Sequence, residues 1–285
     1  MRGAWRLPPL AERSAGPPTA LRLGGAIGGG LLLLVLGLPL LALLLRVEPG
    51  RLLGRLTDPV VLQALWLSLV TSAAAAALVV ALGLPVAYLL ATRSFRGKRL
   101  VEVLVDLPMV LPPTVAGLAL LLAFGRTGLA GRAFGLLGLS VPFTTLAVVL
   151  AQVFMASPFF VTAARAGFRS VDRRYRDAAA TLRASEPVAF LRVMVPLSAP
   201  ALLAGAAMAW ARALGEFGAT ITFAGNLPGR TQTMPLAVYV ALQEDLELAV
   251  TLSLILVVLS VALLVGLRSL PGLAPADPDA RDQGR

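Results

Sequence analysis

Cysteine and histidine are both absent from the 285 residues, and lysine occurs once, as Lys98. Without cysteine there is no disulfide scaffold and no thiol nucleophile. Without histidine, imidazole acid–base catalysis and the common zinc and haem sites are excluded. Charge is scarce too. Only 14% of residues are charged against 58% hydrophobic, and the mean hydropathy is +0.84. A soluble domain carries about 25% charged residues, so the composition argues against a water-soluble enzyme and for membrane helices. The net charge of +10 fits either nucleic acid or inner loops beside anionic lipid, and the choice depends on where the charges sit.

What the chain does contain is long apolar runs. A bilayer core about 30 Å thick needs about 20 apolar residues in a helix. Six stretches without charge meet that requirement: residues 23–45, 59–92, 107–125, 133–164, 193–211 and 248–267. The second and fourth exceed one span, so part of each is expected as loop or interfacial helix. Arg2, Arg6, Arg13 and Arg22 precede the first run in the manner of a signal peptide. Its apolar core is too long for one, and no small-x-small cleavage site follows before Arg46, so a retained helix is expected. With the amino terminus inside, 18 basic residues fall in inner segments and 6 in outer ones. That bias puts both termini in the cytoplasm. The basic residues are scattered through loops rather than gathered with aromatics, so no nucleic-acid partner is expected. The expected organisation is a cytoplasmic tail at 1–22, a transmembrane domain at 23–270 with a long inner loop at about 165–196, and a second tail at 271–285. Both tails are rich in Pro, Gly, Arg and Asp and read as mobile.

Energy must come from elsewhere. A P-loop needs Gly-x-x-x-x-Gly-Lys-Ser/Thr, and Lys98 stands in Phe95-Arg96-Gly97-Lys98-Arg99 without that spacing. No ATP hydrolysis is expected of this chain, and no Gly-x-Ser-x-Gly turn suggests a membrane serine protease. Only Arg212 and Glu216 lie near a membrane interior, which is thin for an ion-coupled carrier.

The inner loop from 165 to 192 carries the most informative stretch, Tyr175-Arg176-Asp177-Ala178-Ala179-Ala180-Thr181-Leu182-Arg183-Ala184-Ser185, continuing to Val193-Met194-Val195-Pro196. Asp177 is expected in the first turn of a short alanine-rich helix, favoured by the dipole. Ser185 and Pro187 mark the start of a second helix, as N-cap and first-turn proline. A helix–turn–helix at the inner surface follows, with Pro196 leading into the fifth span. This pattern resembles the signature loop of ABC-importer permeases, an acidic-Ala-Ala triplet with a glycine and a final aliphatic-x-aliphatic-Pro. Asp177, Ala178 and Ala179 supply the triplet and Pro196 the ending, while Arg183 stands where that family has its glycine. The turn must therefore tolerate an arginine or be drawn differently. The resemblance implies that the loop inserts into a cleft of a separate ATPase subunit, with Arg173, Arg174 and Arg176 as rim charges.

Two further strings carry chemistry. Arg212 and Glu216, spaced i, i+4, are expected on one helix face as an ion pair, serving as a structural lock, a gate, or both. Gly215 and Gly218 permit close helix approach. Thr220, Thr222 and Asn226 offer neutral hydrogen-bonding groups suited to an oxyanion. In the third span, Pro108, Pro112 and Pro113, followed by Thr114, forbid a regular helix, and freed carbonyls at membrane depth require burial or water. The run Gly215-Glu216-Phe217-Gly218-Ala219-Thr220-Ile221-Thr222-Phe223, with Asn226, Pro228-Gly229, Thr231, Thr233 and Pro235, resembles the molybdate permease subunits of bacterial ABC importers. The likeness extends over about residues 62–267 and leaves the first helix outside. Its Glu-Phe-Gly-Ala core is shared with sulfate permeases, and the Thr-Ile-Thr continuation favours molybdate or the near-identical tungstate.

The resemblance implies an all-α, polytopic type I ABC importer permease fold with about six transmembrane helices. It implies a homodimer in the bacterial inner membrane, served by two ATPase subunits that hold ATP and Mg and by an extracytoplasmic oxyanion-binding protein. This chain itself would bind no cofactor and no metal. Pro112, Pro113, Thr114, Arg212, Glu216, Phe217, Gly218, Thr220 and Thr222 would line or gate the path. Three alternatives stand beside this reading: a sulfate or thiosulfate permease, an ion-coupled anion carrier using Glu216, and a structural membrane subunit without a path.

Overall fold

The computed structural model describes residues 19–47, 50, 54–136, 138 and 140–268. The tail expected at 271–285, and residues 1–18 of the other, lie outside the described residues. Among the described residues, all regular structure is helical. The chain divides into two units, residues 1–47 and 48–285. The first holds α1 (Thr19–Leu45), whose apolar stretch Leu23–Leu45 is long enough to cross a membrane.

The second unit opens with α2 (Pro59–Thr92). Asp58 caps it by accepting from the Val60 N–H at 2.9 Å, and Pro59 takes the first position, where no N–H is needed. The expectation of a loop within this stretch is corrected. α2 is one continuous helix of 34 residues with Pro85 inside it, about 51 Å long at 1.5 Å per residue. Between Pro59 and Pro85 runs an alanine-rich segment with nothing to stop it, and the helix continues through its single internal proline.

The proline string breaks the chain at Pro112 and Pro113 as expected, but Pro108, expected to forbid regular helix too, is carried inside one. α3 (Lys98–Val110) and α4 (Pro113–Phe124) flank an extended Leu111-Pro112, because the residue before a proline is pushed out of the helical region. α4, about 18 Å long, is too short to cross a membrane alone. The stretch from 133 is likewise part loop, with a short α5 (Gly131–Leu136) before α6 (Thr145–Ser170). Thr144 caps α6 through the Ala147 N–H at 3.3 Å. The helix then runs past residue 164, taking in Arg165 and Arg169, and both guanidinium groups approach Glu102 on α3, at 3.3 and 3.7 Å. Pairing with a carboxylate makes basic residues tolerable there.

The rest is a series of short pieces. α7 (Arg173–Thr181) turns into α8 (Glu186–Leu197), which winds as a π-helix over Phe190–Met194 and is bent by 78° from α9 (Ala199–Leu214). α10 (Gly218–Ala224) is followed by α11 (Met234–Glu244) and by α12 (Leu246–Arg268). Among the described residues, four helices can cross a membrane by length and composition, or five with the bent α8–α9 pair as one span.

Three apolar cores hold the unit together. Val79, Ala87 and Leu90 of α2 pack with Phe160 and Phe168 of α6, Met194 of α8 and Leu202 of α9. Ala116 and Leu120 of α4, Val148 and Ala151 of α6, and Ala219 and Phe223 of α10 form the second. Val61 and Ala64 of α2, Met234 and Ala237 of α11, and Leu252 of α12 form the third. α2 therefore meets a different partner at each end, and α6 joins the first two cores.

Candidate coupling and gating sites

The α7–α8 hairpin is built as the sequence suggests, with one shift. α7 starts at Asp172, whose carboxylate accepts from the Arg174 N–H and from Arg174 Nε, both at 2.9 Å. That side-chain bond to Arg174 holds the Asp172 carboxyl below the usual carboxylate range, reinforced by the backbone bond. Asp177 is thus not in the first turn but in the middle of α7. Asp172 took the cap because its short side chain reaches back to the N–H two residues on.

The turn after α7 explains the missing glycine. Ala184 N–H donates to Ala179 O at 3.0 Å, and Arg183 N–H donates to Ala180 O at 2.9 Å. This is the double closure of a Schellman turn, which needs a left-handed residue just past the helix. Arg183 occupies that position with φ 57°. The arginine keeps the turn and accepts the backbone strain that a glycine avoids. Ser185 takes the N-cap position of α8 without a side-chain cap bond, and Pro187 follows in the first turn.

Of the triplet, Asp177 and Ala178 are exposed, whereas Ala179 is buried within the chain. Ala179 therefore belongs to the hairpin's own packing, and the surface offered outward is Asp177 and Ala178. Asp177 and Ala180 also line a cavity of about 180 Å³ with Tyr88 and Arg93 of the α2 end. The root of the hairpin is aromatic. Tyr88 of α2 lies 4.7 Å from Phe190 of α8 and 5.5 Å from Phe168 of α6, ring centre to ring centre. An ion pair between Arg93 and Glu186 clasps the same elements. Pro196 lies in the last turn of α8, two residues before the bend at Ser198.

The second constellation is the break between α9 and α10. Glu216 lies beyond the end of α9, at Leu214, so it does not share a helix face with Arg212 as expected. The pair forms nonetheless, with Arg212 Nη2 2.6 Å from Glu216 Oε2 and side-chain exposures of 25% and 1%. The other oxygen, Oε1, accepts from the Ala219 N–H at 2.8 Å. One carboxylate thereby neutralises the cation ending α9 and caps α10. The signal for that cap is a glutamate three residues before a helical N–H, a spacing the sequence carries beside that of the ion pair.

α10 is pressed against α4. A Cβ on Gly218 would come within 2.6 Å of Pro113 Cβ, and one on Gly117 within 2.7 Å of Ala219 O and Thr222 Cβ. Of the two glycines noted, Gly218 therefore makes the close approach to a neighbouring helix. Pro112 and Thr114 are exposed beside this crossing. Phe217 packs on Tyr239 of α11, with ring centres 5.2 Å apart. Thr222 Oγ1 donates to Gly218 O at 3.0 Å. Among the described residues, Thr220 Oγ1 and Asn226 Oδ1 are buried without a partner, as are both amide atoms of Gln152 on α6. Among the described residues no cluster of acidic side chains suits a metal ion.

A helical membrane bundle with a projecting hairpin and a broken, charge-paired segment defines a transport subunit. Residues 80–268 match the family described as binding-protein-dependent transport system inner membrane component, and the chain belongs to that family. It is similar to the molybdenum transport system permease protein ModB of Mycobacterium tuberculosis, 44% identical over 229 residues that cover 80% of this chain and 87% of that one. It is similar also to ModB of Escherichia coli K12, 41% identical over 189 residues, 66% and 82% of the two chains. The probable transport system permease protein NifC of Clostridium pasteurianum is 34% identical over 231 residues, 81% of each. Among solved structures, a chain of a bacterial ABC transporter involved in the import of the acidic polysaccharide alginate superposes with a TM-score of 0.71, 12% identity, and coverage of 87% and 94%. That likeness establishes the fold, an all-α ABC importer permease, and the chain is a multi-pass inner-membrane protein.

Proposed function

We propose that this chain is the permease subunit of an ATP-driven importer of molybdate, with tungstate as the near equivalent. The observation that carries the cargo is the 44% identity, over most of both chains, to a permease named for molybdenum transport. The chain supplies the path and no nucleotide chemistry, since its one lysine stands outside any P-loop spacing. ATP and Mg belong to a separate ATPase, two copies of which serve a homodimer of this chain on the cytoplasmic side. An extracytoplasmic binding protein delivers the anion, and both termini are cytoplasmic.

The geometry supports a simple transmission. The ATPase grips the exposed Asp177–Ala178 surface of α7, with Arg183 at the adjoining turn. Movement of the hairpin passes to α2 and α6 through Tyr88, Phe168 and Phe190, and to α9 through the α8 bend near Pro196. α9 ends at Arg212 and Glu216, so its displacement shifts the cap of α10, and with it Phe217, Gly218, Thr220 and Thr222 against Pro113. ATP binding in the partner favours one of two states through that linkage.

The test is reconstitution of the complex in proteoliposomes. The wild type should import labelled molybdate only with its ATPase and binding protein present, and excess sulfate should compete weakly. Ala178→Trp should lower uptake by at least about tenfold while ATP hydrolysis continues, because a bulky side chain blocks the close approach. Uptake by this chain alone, or strong competition by sulfate, would replace the proposal with a carrier or a sulfate permease respectively.

A further inference from the structure

At the end of α6 remote from the hairpin lies a cavity of about 570 Å³ that none of the roles above uses. Three separate segments line it: the end of α4 with Leu121 and Arg126, the approach to α6 with Ser140 and Phe143, and the α10–α11 loop with Leu227 and Arg230. A second cavity, of about 450 Å³, shares Arg126 and Ser140 and adds Arg132. Neither is lined by a carboxylate. Among the described residues, Arg126 and Arg230 form no ion pair, whereas Arg55 lies 2.9 Å from Asp245 and 4.0 Å from Asp58. Basic residues are scarce in the segments at this end, yet three of them meet at these two cavities with their charge unspent.

The site is built rather than incidental. The loop bearing Arg230 is tied down, since Leu227 O accepts from the N–H groups of Arg230, Thr231 and Gln232, and Arg230 O accepts from Thr145 Oγ1 at 2.9 Å. Phe143 is held at φ 60°, and a Cβ on Gly225 would lie 3.1 Å from its ring. Backbone strain of this kind persists only where the surroundings over-determine it and concentrates at functional sites. Phe143 N–H donates to Phe223 O of α10 at 3.4 Å, so the wall of this cavity is joined directly to the element that Glu216 caps.

We propose that this cavity is a receiving site for the transported tetrahedral oxyanion at the outer mouth of the path. Arg126 and Arg230 supply the opposing charge and Ser140 a neutral donor. Two guanidinium groups balance a dianion and offer planar, paired N–H donors, the geometry that suits tetrahedral oxyanions. A positive cavity also raises the local anion concentration. The assignment rests on the oxyanion-permease reading. The phosphate of an outer-leaflet lipid has the same chemistry, and Leu136, which lines the second cavity, is 90% exposed, so the test separates the two sources.

The full chain in nanodiscs of phosphatidylcholine alone is titrated calorimetrically with sodium molybdate, using sodium chloride as the control. The wild type should bind saturably, and the Arg126→Gln/Arg230→Gln variant should bind at least about tenfold more weakly. Arg126→Lys/Arg230→Lys should fall between them, because lysine keeps the charge and loses the fork. Both arginines are exposed, so circular dichroism should show every variant folded. Equal binding by wild type and glutamine variant would overturn the site. So would the absence of saturable molybdate binding in these discs alongside arginine-dependent retention of phosphatidylglycerol by the same chain in discs that contain that lipid. Uptake by the reconstituted complex keeps the two readings apart. A wild-type complex that imports no oxyanion removes the permease reading, whereas import with unchanged binding in the glutamine variant removes this site alone.

Discussion

Substituting Glu216 separates two jobs done by one carboxylate. Oε1 caps α10 through Ala219 N–H at 2.8 Å, and Oε2 lies 2.6 Å from the Arg212 guanidinium, with the glutamate side chain 1% exposed. Glu216→Gln retains an acceptor for the cap and removes the charge. Glu216→Ala removes both. Breaking a buried ion pair by deleting one partner costs about 3–5 kcal/mol, because the remaining charge is stranded. Arg212 is one-quarter exposed and keeps some solvation, so the lower end, about 3 kcal/mol, is expected for the glutamine variant. A lost N-cap adds about 1 kcal/mol, which puts the alanine variant near 4 kcal/mol by the same sums. Arg212→Met/Glu216→Gln, which strands no charge, should return to within about 1 kcal/mol of the parent. Denaturant titration in mixed micelles measures all three, and Arg212→Met alone completes the cycle that isolates the pair. Equal destabilisation by glutamine and alanine would refute the capping role. A double variant as unstable as Glu216→Gln would refute the charge argument.

Three other outcomes are expected. Gly117→Ala drives a methyl to 2.7 Å from Ala219 O, backbone that cannot rotate away; it should cost about 1–3 kcal/mol in the same titration and depress uptake. Arg183→Gly should steady the hairpin by about 1 kcal/mol, because glycine takes φ 57° without strain, and hydrogen exchange at the Ala184 N–H should slow accordingly. Asp172 has its carboxyl held down by Arg174, so its contribution is fully present above the ordinary aspartate value of about 3.9 and is lost as pH falls through the lower folded value. Exchange protection of α7 should therefore stay level from neutral pH to about pH 5 and fall only below about pH 4, and Asp172→Asn should abolish that acid step.

The features legible in the sequence were those set by neighbours in the chain. Ser185 and Pro187 announced the start of α8, Leu111-Pro112 announced the break before α4, and alanines at 178–180 announced α7. Features decided by distant segments were not. Whether 34 uncharged residues make one rod or a rod and a loop depends on what shelters both ends, and i, i+4 spacing does not reveal that α9 stops at Leu214, short of Glu216. Asp177 and Asp172 competed for one role, and backbone reach rather than composition chose between them. Arg126 and Arg230 were visible only as outer-loop charges, since residues more than a hundred positions apart meet only after α4, α6 and α10 are packed. The helix α11 went unread, although Thr233-Met234-Pro235 is a serviceable opening.

The length of α2 has a consequence for the protein's relation to lipid. A rod of about 51 Å in a hydrocarbon slab about 30 Å deep would have to lean beyond the usual limit of about 40° to hide itself in fat, so its ends stand clear. Both carry oily residues that water would not welcome. At one end Val61 and Ala64 are roofed by Met234, Ala237 and Leu252; at the other Tyr88 and Leu90 are roofed by Phe168 and Phe190. The polypeptide thus extends the membrane's interior with its own side chains, and a bilayer somewhat thicker or thinner leaves those two shelters undisturbed.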